Sequence, residues 1–214
     1  MHIKMSEKLT DKQQRIANAV KEILSALDED LDREGLLDTP KRVAKMYEEL
    51  LVGYQEEPLQ ILGGGMFESP QGFDIQEIKN AEPVIITNIP FYSVCEHHLL
   101  PFTGFAHLAY IPKKHIIGLS KIPRLVDIYT KRLQVQERIS EQIADGMVSL
   151  IDPAGVFVVL EAEHTCASLR GVKKLGMNFV TTAARGVYTL DGQNPQTLQL
   201  RNELLQQIAR TPKK

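Results

Sequence analysis

From Thr10 to Leu27 the apolar residues Ile16, Val20, Ile23, Leu24 and Leu27 recur at helical spacing, and Thr10 with Gln13 has the pattern of a capping box. A second helix is predicted from Thr39-Pro40, an N-cap followed by proline at the first helical position, with Val43, Met46, Tyr47, Leu50 and Leu51 on its apolar face. Gly63-Gly64-Gly65 and Ser69-Pro70-Gln71-Gly72 are loop chemistry, which divides a helical N-terminal region, 1–62, from the remainder, 63–214. Val84 to Ile89 and Gly104 to Tyr110 have the composition of strands and flank the polar cluster Cys95-Glu96-His97-His98. Helical periodicity returns between Ser120 and Leu150, with a break near Leu133 to Glu137 and Ser140 as a second N-cap. Strands are expected at Val156 to Glu161 and Phe179 to Tyr188, and a short helix at Leu200 to Ile208. No internal repeat interrupts this order.

A chain of 214 residues with 43% hydrophobic and 24% charged positions is long enough for one sizeable core, and its composition excludes a disordered or fibrous class. Its longest apolar runs, such as Val156 to Leu160, are strand-sized and far short of a membrane span. The first residues show no secretory pattern, so a cytoplasmic location is expected. With 25 basic against 27 acidic side chains the net charge is −2, which speaks against a general nucleic-acid binder. Local basic clusters remain able to hold one small anion.

The two cysteines each stand near histidine, in Cys95-Glu96-His97-His98 and in Glu163-His164-Thr165-Cys166. Thiolate sulfur and imidazole nitrogen are zinc ligands, and a Cys and a His three residues apart on a turn can reach one ion. The plainer alternative is that both cysteines are small buried hydrophobes. Cys95, His97, His98, His164 and Cys166 make five candidate ligands, more than a tetrahedral ion needs, which leaves histidine for proton transfer. His107 and His115 stand alone and are expected to be structural or surface residues. A second constellation, Ser120-Lys121-Ile122-Pro123-Arg124 with Arg170-Gly171-Val172-Lys173-Lys174, places cations at a helix start, where they oppose the dipole and ask for an anion such as phosphate. A solvated basic patch or internal ion pairs would also account for it. Arg42, in the first turn of the second helix, is out of place for the same reason. Gln136 and Glu137, at the helix break, offer the acceptor and donor groups of a purine-edge site, though exposed Gln and Glu are common. Neither a Walker loop nor a GxGxxG turn is present, so any nucleotide is held in another way.

Taken together these motifs resemble the GTP cyclohydrolase I family. The resemblance lies in Cys95-Glu96-His97-His98-Leu99-Leu100-Pro101-Phe102, Gly118-Leu119-Ser120-Lys121 with Arg124, Gln134-Val135-Gln136-Glu137-Arg138, His164-Thr165-Cys166 with Arg170-Gly171, and Thr39-Pro40-Lys41-Arg42, and covers about residues 10 to 208. Ala167 and Met177-Asn178-Phe179 depart from the family's pattern. The resemblance implies an α+β tunnelling fold, in which antiparallel sheets of several subunits close into a barrel with helices outside, and a homodecamer with active sites at subunit interfaces. It implies zinc on Cys95, His98 and Cys166, and proton transfer by His97 and His164. Glu137, assisted by Gln136, would hold guanine, and Lys121, Arg124, Arg170 and Arg42, with Ser120 nearby, would hold the triphosphate. The implied reaction is zinc-dependent conversion of GTP to 7,8-dihydroneopterin triphosphate and formate, the first step of pterin and folate synthesis. Two other classes share such residues. A nitrile-reducing tunnelling-fold relative would be expected to lack the Cys/His/Cys set, and a GTP sensor would have no use for His97 and His164.

Overall fold

The computed structural model describes residues 8–62, 65–69, 82–189 and 195–211. Of the loop segments expected to divide the chain, residues 63, 64 and 70–72 lie outside the described residues. The chain forms two compact units that divide between Val52 and Gly53.

In the first unit, α1 (Asp11–Ala26) begins with the expected reciprocal cap. Thr10 N donates to Gln13 Oε1 at 2.9 Å, and Gln13 N donates to Thr10 Oγ1 at 3.2 Å. The second helix, α2 (Thr39–Leu50), packs against α1. Its N-cap is Asp38 rather than Thr39, whose hydroxyl instead donates to Gly35 O at 3.3 Å. The cap is one residue earlier than expected because Arg42 N donates to Asp38 O at 2.9 Å, which makes Thr39 the first helical residue.

The second unit is α+β, as expected. Following the short helix α3 (Pro58–Leu62), β1 (Met66–Glu68) pairs with β4 (His115–Ile117) as a small ribbon. The main sheet has the order β5-β2-β3-β6-β7, formed by β2 (Val84–Cys95), β3 (Pro101–Ile111), β5 (Leu133–Gln134), β6 (Gly155–His164) and β7 (Asn178–Gly186). All its pairings are antiparallel except β2 with β5. Helices α4 (Lys121–Thr130) and α5 (Gln136–Ile151) cover one face, where Ile122, Leu125, Ile139, Ile143 and Met147 meet Phe102, Leu108, Val158 and Leu160. At one end of the other face α7 (Pro195–Arg210) packs Leu204 over Phe157 and Tyr188.

Ser140 is not a cap. It is buried inside α5 and donates to Glu137 O at 2.8 Å, while Val135 occupies the cap position. The helix starts earlier because Gln136 turns inward. His107 is a core residue, as expected: its Nε2–H donates to Glu161 Oε1 at 3.1 Å while Nδ1 accepts from Asn88 N at 3.3 Å.

Gly104 marks a close approach of β3 and β6. A Cβ there would run into Glu161 O and lie 2.7 Å from Cα and Cβ of Ala162. Gly104→Ala is expected to cost roughly 2–4 kcal/mol of stability, since backbone must move to admit the methyl. A urea midpoint equal to that of the parent protein would contradict this.

Candidate active site

One end of the sheet gathers most of the chemistry. Strand β2 ends at Cys95, and a tight turn follows in which Leu99 N donates to Cys95 O at 2.8 Å and Cys95 N to Leu100 O at 2.8 Å. Leu99 takes φ 56°, a left-handed conformation costly for a branched side chain. That turn carries Glu96, His97 and His98 at the sheet's end. The short helix α6 (Thr165–Ser168) begins where β6 stops, with the Thr165 hydroxyl donating to Pro101 O. Cys166 is thereby brought to the β2–β3 turn.

Ligand atoms of Cys95, His98 and Cys166 all lie within 4.8 Å of one another, and His98 Nδ1 is 3.8 Å from Cys95 Sγ. In a tetrahedral zinc site, bond lengths of about 2.3 Å to sulfur and 2.0–2.1 Å to nitrogen put neighbouring ligand atoms roughly 3.5–3.8 Å apart. The donor set and its spacing fit such an ion, and leave one position open. Burial pushes the Cys166 thiol up, and the adjacent Cys95 adds to this. A cation between the two sulfurs would reverse both effects. His97 is outside the set, exposed, with its ring 6.2 Å from that of His98. Arg170 Nη1 lies 2.6 Å from His98 Nε2.

His164, at the end of β6, faces α5. Its ring stacks on Phe102 at 4.1 Å and meets the edge of Phe179 at 5.7 Å, so part of the Met177-Asn178-Phe179 departure touches this histidine. Burial pushes the His164 pKa down, and the charge of Glu137 partly offsets it. Glu137 is exposed in the first turn of α5, where a carboxylate is favoured by the helix dipole. Gln136, beside it, is turned inward: its amide bonds to His164 and to two backbone carbonyls.

The cations fall in different places. Lys121 and Arg124 line a cleft with Gln55, Glu56, Glu57 and Asp127. At about 1.5 Å of rise per residue, α4 carries Lys121 about 14 Å from its far end, the end that leads through β5 to Cys95. Ser120 occupies the N-cap position of α4 without a side-chain cap bond. Arg42, in the first unit, pairs with Asp38 at 3.6 Å. A further cleft of about 730 Å³ is lined by Tyr92, Thr103, Phe105, Glu161 and Glu163 of the sheet and by Asp127 and Lys131 at the end of α4, and contains none of the expected site residues.

Two contacts were not expected. Phe102 lies under His164, and Arg138 grips Glu96 with both nitrogens, at 2.6 and 3.1 Å. The guanidinium holds the Glu96 carboxyl below the usual carboxylate range. This fork ties α5 to the residue between Cys95 and His97. Arg138→Ala is expected to weaken metal binding about 10-fold, the lower end for outer-shell partners, without unfolding the protein. Competition with a chromogenic chelator reads this directly, and unchanged affinity would show that the turn needs no such tie.

Comparison with known proteins agrees with the geometry. The model of the family described as GTP cyclohydrolase I matches residues 16–208. A GTP cyclohydrolase 1 of Geobacillus kaustophilus is 51% identical over 178 residues, 83% of this chain and 89% of that protein. That of Caldanaerobacter subterraneus subsp. tengcongensis is 48% identical over 179 residues, 83% and 90% of the two chains, and that of Streptococcus mutans 45% over 195 residues, 91% and 96%. The crystal structure of an apo archaeosine synthase QueF-Like has a TM-score of 0.42 and 17% identity over 49% of this chain and 93% of that one. With the family model matching residues 16–208 and relatives about half identical over more than four fifths of its length, the chain belongs to the GTP cyclohydrolase I family.

Proposed function

We propose that the protein converts GTP to 7,8-dihydroneopterin triphosphate with release of formate, opening pterin and folate synthesis, and that zinc is its metal. The observation that carries this is the convergence of Cys95, His98 and Cys166 at one sheet end beside two histidines outside the set, His97 and His164. Zinc bound there supplies Lewis acidity and a water that ionises near neutral pH.

The remaining work falls to side chains. Opening the imidazole ring of guanine at C8, releasing formate and reclosing onto the ribose carbons requires several proton transfers. His164, kept largely neutral by its half-buried place, and His97, exposed on the turn, take and return those protons. Glu137 accepts from the guanine N1–H and 2-amino group, donors that a hydroxyl or amide would satisfy less strongly. Lys121, Arg124, Arg170 and Arg42, with Ser120, neutralise the triphosphate and contribute remote binding energy that orients the base.

Lys121 and Arg124 line a cleft that holds none of Cys95, His98 and Cys166, which supports a reading in which a neighbouring copy completes each site. A homodecamer with active sites at subunit interfaces accommodates this. Its edge strand β7, with exposed Phe179 and Val180, and the preceding Leu169, Val172 and Leu175 supply apolar surface for such neighbours. No described helix is long and apolar enough to cross a membrane. We place the enzyme in the cytoplasm, where GTP is available.

The test is formate release together with dihydropterin absorbance from zinc-loaded protein and GTP, against a chelator-treated control. One formate per dihydropterin, lost with the metal and restored by zinc, is the expected result. Tight GTP binding with full zinc and no formate would overturn it in favour of a sensor.

A further inference from the structure

The partner of His164 decides which of its ring nitrogens is available. Gln136 is 1% exposed at the first position of α5. Its Nε2 donates to Leu160 O at 3.1 Å and to Phe179 O at 2.9 Å, backbone carbonyls of β6 and β7. An amide nitrogen has two hydrogens, and both are used. The flipped amide would set Oε1 against two carbonyl oxygens, so strand geometry fixes its orientation. Oε1 is left facing His164 Nε2 at 2.9 Å, and an oxygen that can only accept requires the hydrogen on Nε2. In the neutral ring the lone pair is then at Nδ1. The ring plane is fixed independently, stacked 11° from parallel on Phe102 and edge-on to Phe179 at 85°.

We propose that Gln136 is a positioning residue that locks His164 with its hydrogen on Nε2 and presents Nδ1 to the reacting molecule, rather than a residue that touches guanine. This rests on the function proposed above, in which His164 moves protons. A proton taken up at Nδ1 gives an imidazolium whose Nε2–H still donates to Gln136, and its return from Nδ1 restores the starting ring. The amide suits this task better than a carboxylate, which would be repelled by the two carbonyls.

A double-mutant cycle with Gln136→Leu and His164→Ala, on zinc-loaded protein, separates the roles. Gln136→Leu is expected to lower kcat for formate release by about 10- to 100-fold, as misorientation does, with KM for GTP within about two-fold of the parent. Added to His164→Ala it should cause no further loss, because both act through one ring. Multiplying effects, or a raised KM at unchanged kcat, would overturn the proposal and return Gln136 to the guanine edge. Gln136→Met, of similar length but with no acceptor, takes its place if the leucine variant fails to fold. Long-range 15N–1H spectra should show His164 with hydrogen on Nε2 in the parent, and an Nδ1–H ring there would sink the idea. The spectra do not depend on turnover, so absence of formate release with an intact Nε2–H signature would refute the proposed function while leaving the lock standing.

Discussion

Replacing Cys166 by serine is expected to leave the protein folded but without stoichiometric metal, and to reduce formate release from GTP by more than about 10³-fold, the loss of several kcal/mol of transition-state stabilisation. Three protein ligands are the minimum that hold a catalytic zinc, and the trio here has no described fourth Cys, His or carboxylate to take over. A serine hydroxyl does not ionise near neutral pH and has a shorter, harder oxygen where a soft sulfur stood. The fold should tolerate the change, because Cys166 is only half-buried in the four-residue α6, outside the sheet's hydrogen-bonded ladder. The cations proposed to hold the triphosphate are untouched, so GTP affinity should stay within a few-fold. Metal per chain by atomic emission, formate yield and equilibrium GTP binding test the three parts separately. A serine variant that kept one metal per chain and full turnover would remove Cys166 from the ligand set.

The elements legible in the sequence were those whose signals are local. The Thr10–Gln13 box, the apolar stripe of α5 and the strand at Val156 to Glu161 each announce themselves within a few residues, and each formed. Strand ends were less legible. The expected strand at Val84 to Ile89 continues through Pro90 to Cys95, with a register irregularity between Ile86 and Ile89, because pairing with β3 overrides the local break. Residue type gave five candidate ligands, Cys95, His97, His98, His164 and Cys166, of which the fold brings Cys95, His98 and Cys166 within 4.8 Å of one another. What could not be read was which neighbour each side chain would meet. Gln136 looked like a surface amide at a helix break, yet the β6 and β7 carbonyls draw it inward. The Arg138–Glu96 fork joins residues 42 positions apart, and nothing in either segment alone specifies it.

His97 and His98 are adjacent in sequence, and their alanine variants should fail in opposite ways. His98 points Nδ1 toward Cys95 Sγ and belongs to the set that can hold metal, whereas His97 does not. The turn explains the difference: left-handed Leu99 closes the chain back onto Cys95 O, which brings the third residue after Cys95 to its sulfur and leaves the second outside the set. His98→Ala is expected to lose both metal and formate release. His97→Ala should retain one zinc per chain and bind GTP, yet release formate about 10²- to 10⁴-fold more slowly, the contribution of a positioned acid or base. Excess zinc should not rescue His97→Ala. A small exogenous amine such as imidazole should restore part of its rate, because it replaces a proton carrier and not a ligand. Loss of metal from His97→Ala would place this histidine among the ligands. Undiminished turnover would leave His164 as the sole proton carrier, and Gln136 as the residue on which its geometry depends.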